Sequence, residues 1–593
     1  MSRSSRMTTT CLVALFVITI LVGAYPYPSS AECPSGDIIV VMPNVSMEHN
    51  VSTVAPNFTC INFTLPGGAG IRKSKSNYSS VLMQYHVWDS NVTASLEKFM
   101  QKSWMAEGDH VGVVRLLGQE KSFIGYVGLT PLENKTEAAT DALILYTPLN
   151  YTVPVPGACN QEFQPETDPN LHVVYQPDSV LFNVTFSEAN VGFRPGEQPA
   201  CEGNAPKHDQ LRYDFYIRYL PWGRYSRDSL FSELQKMMTP RSIREHGRKI
   251  HMFGKHDKPE LWLSTFNGRG VILNIVVWDS ISMAESAYVP TVTYACRDKM
   301  GSLCEGRIDP FQAVLFALGM IAGAAVCFVG HRYFLAEVFF FGFLPFTLFS
   351  FMILAANTSL SQPVMLALAL VFGVPGGCIW MAIWWRFGYV LPVMMWISFT
   401  LGFLFSAIVF FTPFGNLSVW YNSLAYGMAY MCGVMIIPVI FIVFTKFLSM
   451  LACAVWGGYL IVAALSYYSG GVLHYIILNI IHRSFIPHYS EAYIVVPVNP
   501  FDIALIVVWF ILIVAGVAVQ HRITRGRRNF PICPYKERKY LRNHRHTLRD
   551  QIRYESSTPQ PSRHQMADPT ETTMSHAGTS ADGDDTSPLV VKD

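Results

Sequence analysis

Seven apolar runs fall between residues 311 and 520 of this 593-residue chain, at 311–330, 333–355, 364–385, 388–411, 424–444, 447–468 and 501–520. A bilayer core takes about 20 helical residues to cross, and each run is of that order. Inside lipid the backbone polar groups must be satisfied within the segment, so each run has to be a helix. Residues 310–520 therefore predict an all-α seven-helix transmembrane bundle.

The turns between runs set the orientation. Those after the first, third and fifth runs carry Arg332, Arg386 and Lys446; 356–363 and 412–423 carry no Lys or Arg, and 469–500 carries only Arg483. Lys and Arg concentrate on the cytoplasmic side. The N-terminal part is then lumenal or extracellular and the C-terminus cytoplasmic. The short segment GVLHYIILNIIH (471–482) predicts an interfacial helix on the outer side.

Three residues mark an intramembrane charge cluster: Arg332, Glu337 and Arg386. Glu337 sits one turn inside the second helix, where a lone carboxylate is costly. It is expected to be protonated or to pair with Arg332 or Arg386; the functional alternative is a proton or ion site. The third run holds Gly373-Val374-Pro375-Gly376-Gly377, which predicts a kink or break. A broken helix can line a substrate site, and a kink packed by neighbours is the other reading. Gly319 and Gly323 form a G-x-x-x-G cue for close helix approach.

Upstream, Arg3 and Arg6 precede a short apolar core and small residues, so 1–31 reads as a signal peptide. Behind it, 32–309 holds nine N-x-S/T sequons, at Asn44, Asn50, Asn57, Asn62, Asn77, Asn91, Asn134, Asn150 and Asn183. It also holds six cysteines, Cys33, Cys60, Cys159, Cys201, Cys296 and Cys304. Both fit a glycosylated, disulfide-bonded ectodomain in an oxidising compartment. Six cysteines allow about 15 pairings, and the sequence does not choose among them. Period-two alternation in LFNVTF (181–186) and in 212–220 predicts a mainly-β, sandwich-like domain, with Asn183 on the face away from the core. An amphipathic helix is expected after Asp228, capped by it. VWDS occurs at 87–90 and 277–280, which raises the question of two related β modules.

G-x-S-x-G and H-E-x-x-H do not occur, and no enzymatic activity, cofactor, metal site or nucleic-acid partner is assigned. His246, His251 and His256 read as part of a solvated basic loop, a metal or polyanion site being the alternative.

After the last run, 521–553 carries eleven Lys or Arg against Glu537 and Asp550, a basic juxtamembrane segment suited to anionic lipid. Residues 554–593, rich in Ser, Thr and Pro, predict a disordered cytoplasmic tail.

VPGACNQEF (155–163), DPN (168–170), GHRYFLAEVFFFGF (330–343), WWRFG (384–388) and FFTPFGNL (410–417) resemble the transmembrane 7 superfamily member 3 family, from about residue 156 to the tail. The resemblance implies a signal peptide, a glycosylated ectodomain and seven spans. It also implies a role in cell survival and endoplasmic-reticulum stress homeostasis, with no catalytic residue. Three functions stay open. One is a non-enzymatic membrane protein whose ectodomain binds an unidentified protein or ligand. The second is a transporter or channel using the third-helix break and Glu337, and the last an atypical seven-helix receptor. The expected residence is the plasma membrane or secretory and endolysosomal membranes.

Overall fold

A computed structural model describes seven strands between 59 and 131, then residues 139–159, 168–176, 181–191, 210–221, 226–254, 257–266, 269–294, 310–526, 530–531 and 533–557. The expected signal peptide, Asn44, Asn50, Asn57, Asn77, Asn91, Asn134, Cys33, Cys201, Cys296, Cys304 and the far tail lie outside them, as do the side chains of Cys60 and Asn62.

The first β module has two four-stranded antiparallel sheets. One joins β1 (Thr59–Thr64), β8 (Ala139–Leu149), β3 (Ser80–Val87) and β6 (His110–Leu116) in that order; the other joins β2 (Gly67–Ser74), β7 (Ser122–Pro131), β4 (Val92–Glu97) and β5 (Ser103–Glu107). The second module pairs a three-stranded sheet with a five-stranded one. The smaller has the order β13 (Glu260–Ser264), β10 (Leu181–Phe186), β9 (Leu171–Gln176). The larger runs β12 (Arg248–Phe253), β11 (Leu211–Tyr219), β14 (Gly270–Asp279), β15 (Glu285–Ala287), with β16 (Thr291–Tyr294) also on β14.

Alternation builds this second core. Phe182, Val184 and Phe186 from the small sheet meet Tyr213, Phe215, Leu273 and Ile275 from the large one, while Asn183 stays half-buried on the other face. The other face of the large sheet is covered by helix α1 (Arg227–Gln235), through Leu230, Phe231 and Leu234. That layer also takes in Leu143 and Leu145 of β8, which ties the two modules together. Ser226 caps α1 by accepting from the Ser229 amide; Asp228, the expected cap, lies in the first turn. The first VWDS copy begins at Val87, the last residue of the interior strand β3, and the second occupies the end of the interior strand β14 through Asp279. A second short helix, α2 (Pro240–His246), leads into β12.

The apolar half forms α3 (Pro310–Val329), α4 (Phe334–Asn357), α5 (Gln362–Phe387), α6 (Val390–Phe411), α7 (Ser423–Phe441), α8 (Thr445–Tyr468), α9 (Tyr475–Phe485) and α10 (Pro500–Thr524). The seven expected runs are not seven isolated rods. Among the described residues, five uninterrupted helical stretches are long and apolar enough to cross a membrane, because 3-10 turns at Gly330–Tyr333 and Ile442–Phe444 fuse α3 with α4 and α7 with α8. The fused stretches hold 48 and 46 residues. At 1.5 Å per residue that is about 70 Å, twice what one crossing needs.

Side-chain pairs give the directions. Phe316 stacks on Tyr467 and Gly323 meets Gly457, so α3 and α8 are antiparallel. Gly516 and Gln520 lie beside Cys327, and Gln520 reaches His331, so α10 runs parallel to α3. Gly342 faces Gly376 while Phe334 meets Trp384, which makes α4 and α5 antiparallel.

Two glycine expectations change. Helix α5 continues through Pro375, without a break. Its Gly373, Gly376 and Gly377 instead form a trough for α4: a Cβ on Gly376 would fall 2.2 Å from Phe346 Cγ, and one on Gly377 2.6 Å from the Phe339 ring. The remaining i−4 hydrogen bonds and the neighbouring helix hold the proline turn. Of the G-x-x-x-G pair only Gly323 makes a close approach; Gly319 has open space.

The chain divides into two compact units, the first ending at Pro531. The second contains α11 (Pro534–Ser557), a helix that runs through the basic segment and past residue 553 into the start of the tail expected to be disordered.

Candidate functional site

The ectodomain is seated on the segment that links α8 to α10, and the seam is built from backbone carbonyls and aromatic rings. Arg269, in the turn before β14, is 4% exposed. Its guanidinium donates to the carbonyls of Gly470 at 2.7 Å and Pro497 at 3.4 Å. With its amide oxygen turned inward, Asn499 accepts from both Nη atoms at 3.0 Å. Asp502, in the first turn of α10, accepts from the Asn499 amide with one oxygen and from the Val472 amide with the other. One buried arginine thus ties the ectodomain to the turn just after α8 and to the N-cap of α10.

Residues 493–497 extend this anchor. Leu263 and Tyr493 form a parallel bridge beside β13, Tyr219 donates to the Val495 carbonyl at 2.7 Å and Arg248 to the Val496 carbonyl. Trp262 stacks on His488, Phe266 meets Tyr475 edge-on, and the Tyr493 hydroxyl lies 2.8 Å from His251 Nδ1. The expected interfacial helix is α9, with Ile476, Asn479, Ile480 and Ile481 buried. Asn416, at the end of the 3-10 turn Pro413–Asn416 that follows α6, brackets the Ile494 backbone with both amide atoms.

Three seam imidazoles are held toward the neutral form. Burial lowers His482 to about 4. Burial, with Arg269 nearby, lowers His474 to about 3. His251 is lowered by burial too, Lys249 adding to the effect and Asp257 opposing it.

A second polar site lies at the opposite end of the bundle. Glu337 is buried, but neither arginine expected beside it is its partner. Arg332 and Arg386 are exposed, lying near the rings of Tyr333 and Phe387. Glu337 Oε2 is instead 3.5 Å from His331 Nδ1, and Ser449 donates to Oε1. Ser449 has one hydrogen, so its oxygen accepts from His331 Nδ1 at 2.7 Å. Gln520 accepts from the His331 amide and donates to the Cys327 carbonyl, linking α10 to the α3–α4 turn. Glu337 Oε2 is left without a hydrogen bond among the described residues.

At the inner site Ser449 bridges the base and the acid, its hydroxyl proton directed to Glu337 rather than to His331. Among the described residues no group of His, Cys, Asp and Glu is placed to hold a metal. His474 turns to Ser466, His482 packs on Tyr489, and His488 lies on Trp262.

Sequence reasoning found Glu337 but missed His331 as its partner, and missed Arg269 altogether. The only local signal for Arg269 is its glycine-flanked turn, FNGRG.

Residues 154–299 match the family model described as TM7SF3-like, second immunoglobulin-like domain, and 316–521 match the TM7S3/TM198-like domain. Transmembrane 7 superfamily member 3 of Homo sapiens is 32% identical over 499 residues, covering 82% of this chain and 85% of the relative. The Mus musculus protein of the same name is 34% identical over 490 residues, 81% and 85% of the two chains. An immunoglobulin-like ectodomain followed by apolar membrane helices, matched over four-fifths of its length, places the chain in the transmembrane 7 superfamily member 3 family.

Proposed function

We propose that this is a non-enzymatic multi-pass membrane protein whose glycosylated ectodomain binds a protein or ligand partner and holds a fixed attitude to the bundle. The observation that carries the reading is the Arg269 anchor. A buried guanidinium satisfied by three acceptors on the outer loop resists rotation of the ectodomain.

Seven crossings are supported by the alternating helix directions and by Arg332, Arg386, Arg522 and Arg525 at the end opposite the ectodomain. The C-terminus is then cytoplasmic, and 521–553 faces anionic lipid. Cys159 being disulfide-bonded supports an oxidised ectodomain. The exposed Asn150 and the outward-facing Asn183 support glycosylation. Residence in the plasma, secretory or endolysosomal membrane fits these features. The link to cell survival and stress homeostasis rests on family resemblance.

Proximity labelling from a tag on the ectodomain tests the proposal. Neighbours shared by independent tags and lost when the first β module is deleted are expected; a neighbour set indifferent to that deletion refutes ectodomain binding. A second reading, ion coupling, draws on the buried Glu337 Oε2, which faces His331 without accepting a hydrogen bond. It requires a pH-dependent flux in reconstituted vesicles that Glu337→Gln abolishes at unchanged abundance.

A further inference from the structure

Helix α11 carries a pattern that an isolated solvated arm does not need. Arg538, Arg542, Arg545 and Arg549 recur at spacings of four, three and four, which places them on one stripe of the helix. All four are exposed. Leu541 and Leu548, seven apart, form the adjoining stripe, 58% and 45% exposed, and Tyr540 beside them is 70% exposed. Through residue 549 the helix has six Lys or Arg against Glu537 alone. Neither leucine is needed for solubility, and both stand next to the arginines.

We propose that α11 is an in-plane membrane helix that binds acidic phospholipid headgroups through its arginine stripe and inserts Leu541 and Leu548 into the boundary below them. The occupant is a lipid surface for two reasons. The charge is complementary to an acidic leaflet, and the helix is joined to the end of the apolar α10 by residues 525–533 alone, which keeps it close to a bilayer. Guanidinium groups match phosphate geometry, and long stems let the charge sit above an apolar stripe.

The inference rests on the reading above that the basic segment meets anionic lipid, and it adds insertion of a helical face. Full-length protein in nanodiscs of phosphatidylcholine, with or without phosphatidylserine, separates the two by hydrogen exchange over 534–557. Exchange is expected to slow about tenfold or more with phosphatidylserine and to recover in high salt. Arg542→Gln should shift the lipid dependence by about fivefold, and the quadruple Arg→Gln variant should remove it. Leu541→Ser with Leu548→Ser should weaken protection at unchanged charge. If the leucine variant protects as well as wild type, insertion is overturned while electrostatic attraction survives. If wild type exchanges alike in both lipids, both fall.

Discussion

Acidifying the compartment that the ectodomain faces should loosen its seat. The perturbation acts on His474 and His482, which the seam buries and whose protonation is lowered to about 3 and about 4 from an exposed value of 6.5. The sign follows from linkage. A histidine depressed by burial contributes its full stabilisation above the exposed value, and that contribution is lost as pH falls toward the buried one. At about pH 5 the interval already crossed is about 1.5 units for each ring, or about 2 kcal/mol each and about 4 together.

No nearby carboxylate relieves this. Asp502 is committed to the amides of Val472 and Asn499, and Glu491 lies beside the exposed His488. Arg269 adds positive charge beside His474, and Lys249 does so beside His251, where Asp257 opposes it. The assay is hydrogen exchange over 475–499 in nanodiscs, with thermal unfolding alongside, between about pH 7 and pH 5. Exchange should rise on acidification, and His474→Gln with His482→Phe should flatten the response. Equal exchange at both pH values, or undiminished acid sensitivity in the double variant, would refute the reasoning.

Other substitutions follow from the same geometry. Glu337→Gln keeps an acceptor for Ser449, so its expected cost is about 1–3 kcal/mol. Glu337→Lys puts a cation against His331 at a closed site and should lower surface abundance far more, by about 3–5 kcal/mol of stability. Equal abundance of the two variants would contradict the His331–Ser449–Glu337 arrangement. Gly376→Leu drives a side chain into Phe346 and should cost about 1–3 kcal/mol in thermal unfolding of the purified protein. Arg269→Ala leaves the Gly470 and Pro497 carbonyls unpaired and should speed exchange over 493–499 while leaving α5 unchanged; unaltered exchange would remove the anchor. Glycosidase digestion and a protected or accessible tag after Asp593 check topology, both termini on one side being the adverse result.

What the sequence made legible was what is local. Apolar runs, the alternation around Asn183 and the amphipathic 471–482 segment each depend on neighbours within a few residues, and each appears as an element of the expected kind. The polar sites are long-range. His331 meets Ser449 and Gln520 across separations of 118 and 189 residues, and Arg269 meets Gly470 across 201. Glu337 invited pairing with the nearest cations in the chain, but those cations gain more by reaching water. His331, next to Arg332 in the same turn, is buried and meets Ser449. The glycines around Pro375 read as weakness in a helix because the phenylalanines that fill them belong to α4.

The parallel contact between α3 and α10 has a consequence for how cells must make this protein. Gln520 closes the backbone at His331 from 189 residues downstream. At ribosomal speeds of about 5–20 residues per second, roughly 10–40 s pass before that partner is synthesised. The α4–α5 pair completes itself almost at once, because its helices are consecutive. The first helix, by contrast, waits in the membrane for α8 and then α10, with the His331 amide and the Cys327 carbonyl still unclaimed. Chains that stop before residue 520 therefore display a biosynthetic intermediate whose defect lies at its oldest helix. Quality-control factors that read polar groups within membranes would encounter the lesion near residue 330, two hundred residues from the missing segment.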